Sequence, residues 1–175
     1  RDYNRIAKKI TAVLFFSQSL SSAGFIAAFT VNALVAVDLT GWTAMSGVPG
    51  AVYVLGQAGG ALVWGFSFEK IGRRWGLALG QMVGVIGSAI AITAVVGRSF
   101  LFFLTGLVMV GMARSAVDLG RFIAAEVHQP EMRGRAISKV VLGSTVGAIV
   151  GPLLVGPTGK LATMAGLPEL SGPYG

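Results

Sequence analysis

Arg114, Asp118 and Arg121 are the only charges in an otherwise apolar stretch from about Phe100 to Ala125. They stand at i, i+4 and i+7, so on a helix they share one face and Asp118 can pair with either arginine. In an apolar setting an inward Arg attracts an anionic solute, and an inward carboxylate carries a proton if burial raises its pKa; alternatively the triad neutralises itself and stabilises its helix. Gln18, Asn32, Tyr53 and Gln57 form a second tier of polar candidates, each able to hydrogen-bond within a helix bundle or to a solute. Other chemistry is poorly provided for. The chain has no cysteine and one histidine, His128, beside Gln129 and Pro130 in a polar stretch where a solvated loop residue is expected. No metal or cofactor is expected. Gly56-Gln57-Ala58-Gly59-Gly60 is glycine-rich but lacks the lysine of a phosphate-binding loop, and no nucleophile stands beside a base, so an enzyme is not expected.

The elements that must position these residues are membrane spans. With 54% hydrophobic and 12% charged residues and a mean hydropathy of +0.75, the chain is too apolar for an ordinary soluble surface. Apolar stretches with few or no charges reach the roughly 20 residues that a helix needs to cross about 30 Å of hydrocarbon. Five are read, at about 10–37, 44–68, 75–96, 100–125 and 136–154, giving an all-α polytopic membrane protein with the lipid bilayer as its first partner. A charge at mid-span costs about 2.5 to 3.5 kcal/mol on insertion scales, which predicts that the Arg114 face points into the protein. The net charge of +7 does not indicate a nucleic-acid partner, because the basic residues lie between the spans and not on one soluble face.

Their distribution sets an orientation. Arg1, Arg5, Lys8, Lys9, Lys70, Arg73, Arg74, Arg133, Arg135 and Lys139 flank one side, against Arg98 and Lys160 on the other. The side rich in Lys and Arg is expected to be cytoplasmic, and the N-terminus with it. Gly76, Gly80 and Gly84 on the third span, and Gly143, Gly147 and Gly151 on the fifth, recur every four residues and predict close helix packing. Beyond Pro157 the chain is broken and rich in Gly and Pro, so residues 158–175 are expected to be an extracytoplasmic loop ahead of a missing sixth helix.

Three motifs carry a family resemblance. Gly65-Phe66-Ser67-Phe68-Glu69-Lys70-Ile71-Gly72-Arg73-Arg74, between the second and third spans, resembles the signature loop of the major facilitator superfamily, with Glu69 where the family usually has Asp. Ala125-Glu126-Val127-His128-Gln129-Pro130-Glu131-Met132-Arg133-Gly134-Arg135-Ala136-Ile137-Ser138 is similar to the family's loop after the fourth helix. Gly147-Ala148-Ile149-Val150-Gly151-Pro152, near the end of the fifth span, is similar to the Gly-x-x-x-Gly-Pro motif of the family's antiporters.

The resemblance implies the N-terminal half of a transporter, helices one to five, in residues 1–157. It implies a small solute held at the midplane between two six-helix halves, and a cytoplasmic latch built from Gly65, Glu69, Lys70, Gly72, Arg73, Arg74, Glu126 and Arg133, with Glu126 as the expected partner of Arg73. Gly147, Gly151 and Pro152 form a packing motif that hints at export and is expected to meet the opposite half. Arg114, Asp118, Arg121, Asn32, Tyr53 and Gln57 are the candidates for a solute or proton path. The Arg that many proton-coupled members carry early on the fourth helix has no equivalent here, its place falling near Gly106 and Leu107. The expected location is a bacterial cytoplasmic (inner) membrane. The alternative is a shortened transporter-like subunit of a membrane complex, whose partner subunits would cover the inward face.

Overall fold

Each apolar stretch folds as a continuous helix, because hydrocarbon offers backbone N–H and C=O groups no water and a helix satisfies them within the segment. The computed structural model describes residues 2–126 and 129–174, with the side chains of 2–8, 123, 124 and 126 left outside the description. His128 lies outside the described residues. The helices are α1 (Asp2–Thr40), α2 (Val48–Ile71), α3 (Arg73–Val96), α4 (Phe100–Glu126) and α5 (Arg133–Met164), and all five contain stretches long and apolar enough to span a bilayer. Short 3-10 turns occupy Thr43–Met45, Pro130–Met132 and Glu169–Tyr174. The chain is an all-α polytopic membrane protein.

Two boundaries differ from the sequence reading. The charged link between the second and third spans is a single residue, Gly72, whose φ of +81° and ψ of 156° suit only glycine. Glu69 and Lys70 therefore belong to the last turn of α2, while Arg73 and Arg74 open α3. At the other end α5 does not stop near Leu154, and residues 158–175 are not simply a loop. The helix runs through Pro152 and Pro157 to Met164. Proline removes one backbone donor, but packing beyond it keeps the helix going: Gly159 and Ala162 are buried, Gly159 lying against Glu169 of the returning 3-10 segment.

Small residues set the helix spacing. Gly80 and Gly84 of α3 face Ala116 and Ala113 of α4, Gly56 and Gly60 of α2 face the backbone of Val108 and Met112, and Gly143, Gly147 and Gly151 of α5 face Phe15, Ser19, Ser22 and Ala23 of α1. Such contacts bring backbones together where lipid supplies no hydrophobic drive. The packing order along one side is α2, α4, α1, α5, with α3 behind α4. A buried cluster that includes Val31, Val35, Ala91, Phe103, Leu107 and Tyr174 closes the end of the bundle opposite Gly72, while Phe16, Leu20, Leu101 and Leu153 remain exposed.

Candidate functional site

Asp118 is the point at which α1, α2 and α4 exchange hydrogen bonds, and Gln18 carries the network on to α5. Its Oδ2 accepts from Gln57 Nε2 of α2 at 3.1 Å and from Arg114 Nε, one turn back on α4, at 3.3 Å. Its Oδ1 accepts a longer bond, 3.4 Å, from Gln18 Nε2 of α1, and the same amide donates to Ser144 Oγ of α5 at 2.9 Å. Arg114 Nη1 in turn donates to Ser22 Oγ at 3.0 Å, and the guanidinium lies 5.4 Å from the centre of the Phe25 ring. The result is a polar belt crossing α2, α4, α1 and α5 in their packing order.

Local sequence explains the belt. Gln18, Ser22 and Phe25 stand at i, i+4 and i+7 on α1, and Arg114 and Asp118 at i and i+4 on α4, so each helix presents one polar stripe to the other. The charges cancel: Arg114 and Asp118 form an ion pair whose side chains are 16% and 28% exposed. Intermediate exposure places the pair at the surface of the bundle, shielded from full solvation. Tyr53 is buried beside it, edge-on to Phe29 at 5.5 Å, within electrostatic reach of both charges.

Of the residues proposed for a solute or proton path, Arg114, Asp118 and Gln57 meet, together with Gln18, and Tyr53 borders them. Arg121 does not join. It is exposed, with its guanidinium 5.1 Å from the ring of its neighbour Phe122. Asn32 also lies elsewhere: it is buried, and its Oδ1 accepts a short hydrogen bond from the Tyr174 hydroxyl. Sequence reasoning missed Ser22, Phe25 and Ser144. The seven-residue stripe Gln18, Ser22, Phe25 is the signal that points to the first two; Ser144 has none beyond its place next to Gly143, where α5 touches α1.

Glu69, Lys70, Arg73, Arg74 and Arg133 are all exposed around the Gly72 end of the bundle. Arginines in the first turns of α3 and α5 are the wrong sign for the positive end of a helix dipole, so local helix stability does not account for them. The side chain of Glu126, the expected partner of Arg73, lies outside the described residues. Nothing lies within 4 Å of a Cβ built on Gly65. Gly147 and Gly151, expected at an opposite half, pack against α1, and Pro152 beside them is exposed.

On the other side of the bundle sits a link that the sequence did not announce. Arg98, at φ +50° in the three-residue turn between α3 and α4, donates through Nη2 to the Asp38 backbone oxygen at 2.8 Å and lies 3.7 Å from its carboxylate. It ties the end of α1 to the turn between α3 and α4.

The family model described as Major Facilitator Superfamily matches residues 13–164. Two Bacillus subtilis (strain 168) proteins, each named an uncharacterized MFS-type transporter, are similar to the chain. YddS is 34% identical over 171 residues, covering 98% of the chain and 39% of that protein, and YdeG is 34% identical over 168 residues, covering 95% and 39%. The riboflavin transporter RfnT of Brucella anthropi is 34% identical over 149 residues, covering 85% of the chain and 37% of that protein. The chain thus spans about two fifths of the length of the curated relatives it matches. No solved structure matches it.

Proposed function

We propose that this chain, which belongs to the Major Facilitator Superfamily, forms most of the first half of a secondary active transporter and carries that half's share of the solute site. The observation that carries the reading is the belt. A charged pair near mid-span, held by amides from two further helices and still only partly shielded, is what a polar cavity wall requires, and its remaining exposure supports that role over a purely internal brace. The opposite wall belongs to a second half, and the two rock about the solute.

The mutual neutrality of Arg114 and Asp118 favours a solute that is uncharged overall. Gln18 and Gln57 donate their amide N–H groups toward Asp118 and keep their amide oxygens as acceptors for solute N–H or O–H groups. The relative named a riboflavin transporter supports a planar, hydrogen-bonding solute of that kind. The segment after α5, residues 165–174, leads toward a sixth helix, and the groove of about 670 Å³ between α1 and α3, which Gly172 and Tyr174 border, is its seat. The excess of Lys and Arg supports a cytoplasmic N-terminus, the bacterial relatives support a bacterial cytoplasmic membrane, and Gly147, Gly151 and Pro152 support export over uptake. Glu69, Arg73 and Glu126 form the cytoplasmic latch.

Transport by the full natural chain in proteoliposomes tests both parts. Asp118→Asn and Gln57→Ala should lower the rate at least tenfold with the protein still inserted and folded, and Glu69→Gln, Arg73→Ala or Glu126→Gln should slow interconversion of the two access states. Wild-type rates in Asp118→Asn and Gln57→Ala would remove the belt from the solute path. Wild-type rates in all three loop variants would remove the latch.

A further inference from the structure

We infer that the cleft between the N-terminal ends of α1 and α5 is a binding site for an anionic phospholipid, with its phosphate on Arg135 and Lys139 and one acyl chain along Phe15, Phe16 and Leu142. The cleft follows from the glycine packing. From Gly143 onward α5 lies directly on the α1 backbone, but one turn earlier the glycine stripe is replaced by Lys139, and only Ala136 and Val140 stay buried, with Leu14 packed against them. The helices part there and leave a cavity of about 470 Å³.

Its walls and mouth differ in chemistry. Phe15, Phe16 and Leu142 form an apolar channel, with Phe16 70% and Leu142 58% exposed, while Arg135 and Lys139 stand one turn apart on α5 at the mouth beside Met132. Among the described residues neither cation is paired with a carboxylate. Both lie in the first two turns of α5, whose N-terminal amides have no side-chain cap and add positive potential of their own. Two cations and a helix N-terminus therefore repel one another above an apolar channel, and an anion with a hydrocarbon tail satisfies both. A free phosphate leaves the channel empty, and a neutral lipid leaves the cations unpaired. The site lies on the side of α1 and α5 away from Ser144 and Gln18, and it does not depend on the reading of the belt.

The test uses the full natural chain in phosphatidylcholine nanodiscs containing a diazirine-bearing phosphatidylglycerol. The expected labels fall on residues 12–16 and 139–142. Unlabelled phosphatidylglycerol should compete, whereas inorganic phosphate at millimolar concentration and phosphatidylcholine should not. At about fivefold per juxtamembrane cation, the double variant Arg135→Gln with Lys139→Gln should bind about 25-fold more weakly, and Arg135→Lys with Lys139→Arg should bind as the wild type does. Both pairs change exposed side chains, and retained helical circular dichroism checks that they fold. Equal labelling by a phosphatidylcholine probe, full competition by phosphate, undiminished binding in the double Gln variant, or occupation of the cleft by a later segment of the chain itself would each overturn the assignment.

Discussion

Arg114 Nε and Asp118 Oδ2 lie 3.3 Å apart on one face of α4, and each also holds a side chain from α1: Ser22 for the arginine, Gln18 for the aspartate. Removing either charge strands the other in a setting that is neither wet nor dry. Full burial would make the loss severe, but with side chains 16% and 28% exposed the expected cost of Arg114→Gln or Asp118→Asn is about 1 to 2 kcal/mol each. The double variant should cost less than the sum, with a coupling of about 1 kcal/mol read from thermal unfolding of the full natural chain in detergent. Strict additivity would show that the two charges do not act as a pair.

The contact between α1 and α5 is limited by backbone approach and not by side-chain size. A Cβ on Gly147 would stand 2.5 Å from Ser22 Cβ and 2.6 Å from the Ser19 carbonyl oxygen, so α5 must move away from α1. Gly147→Ala is expected to cost about 1 to 3 kcal/mol and to weaken the Gln18 to Ser144 bond one turn away. Gly24→Ala and Gly59→Ala meet nothing within 4 Å and should stay within about 0.5 kcal/mol of wild type. Unfolding temperatures of the three variants side by side check the contrast.

The spans were legible in the sequence because hydrocarbon thickness and backbone satisfaction leave few choices: the number of helices follows from the lengths of the apolar stretches, and the charge asymmetry from where Lys and Arg fall between them. The pairing of Arg114 with Asp118 was legible for the same reason, since i and i+4 on a helix are neighbours. What pairs across helices was not. Asn32 and Gln57 look alike as polar residues in apolar spans, yet one meets Tyr174 and the other Asp118, because helix rotation is set by where Gly111, Gly147 and their kind allow contact. The continuation of α5 past Pro157 was hidden similarly: local propensity argues for a stop, and burial of Gly159 and Ala162 by the returning segment overrides it.

Arg98 illustrates two opposing terms at one residue. Its φ of +50° is costly for a side-chain-bearing residue, while its bond to the Asp38 backbone oxygen is exposed and its ion pair, with side chains 66% and 49% exposed, adds little. Arg98→Gly relieves the first as it removes the second, so its stability should lie within about 0.5 kcal/mol of wild type, whereas Arg98→Ala keeps the strain, loses the bond and should be the less stable variant by about 1 kcal/mol. Thermal unfolding ranks the two. Arg98→Ala more stable than Arg98→Gly would show that the left-handed backbone is not a constraint there.

Tyr174 closes the same end of the bundle, opposite Gly72. Its hydroxyl donates to Asn32 Oδ1, its ring stands edge-on to Phe103 at 5.7 Å, and both Tyr174 and Asn32 are buried. Tyr174→Phe keeps the ring contact but takes a donor from a buried amide oxygen, so it should cost about 1 to 3 kcal/mol. Burial also pushes the phenol pKa well above its ordinary value of 10.0, which gives the tyrosine a pH signature. Above pH 10 the unfolded chain releases the phenolic proton while the folded chain retains it, so the folded state binds more protons and its stability falls as pH rises through that range. Tyr174→Phe cannot release such a proton, and the gap between wild type and variant should narrow from pH 8 to pH 11. A gap that stays constant across that range would mean that the Tyr174 hydroxyl ionises as readily in the folded protein as in the unfolded one.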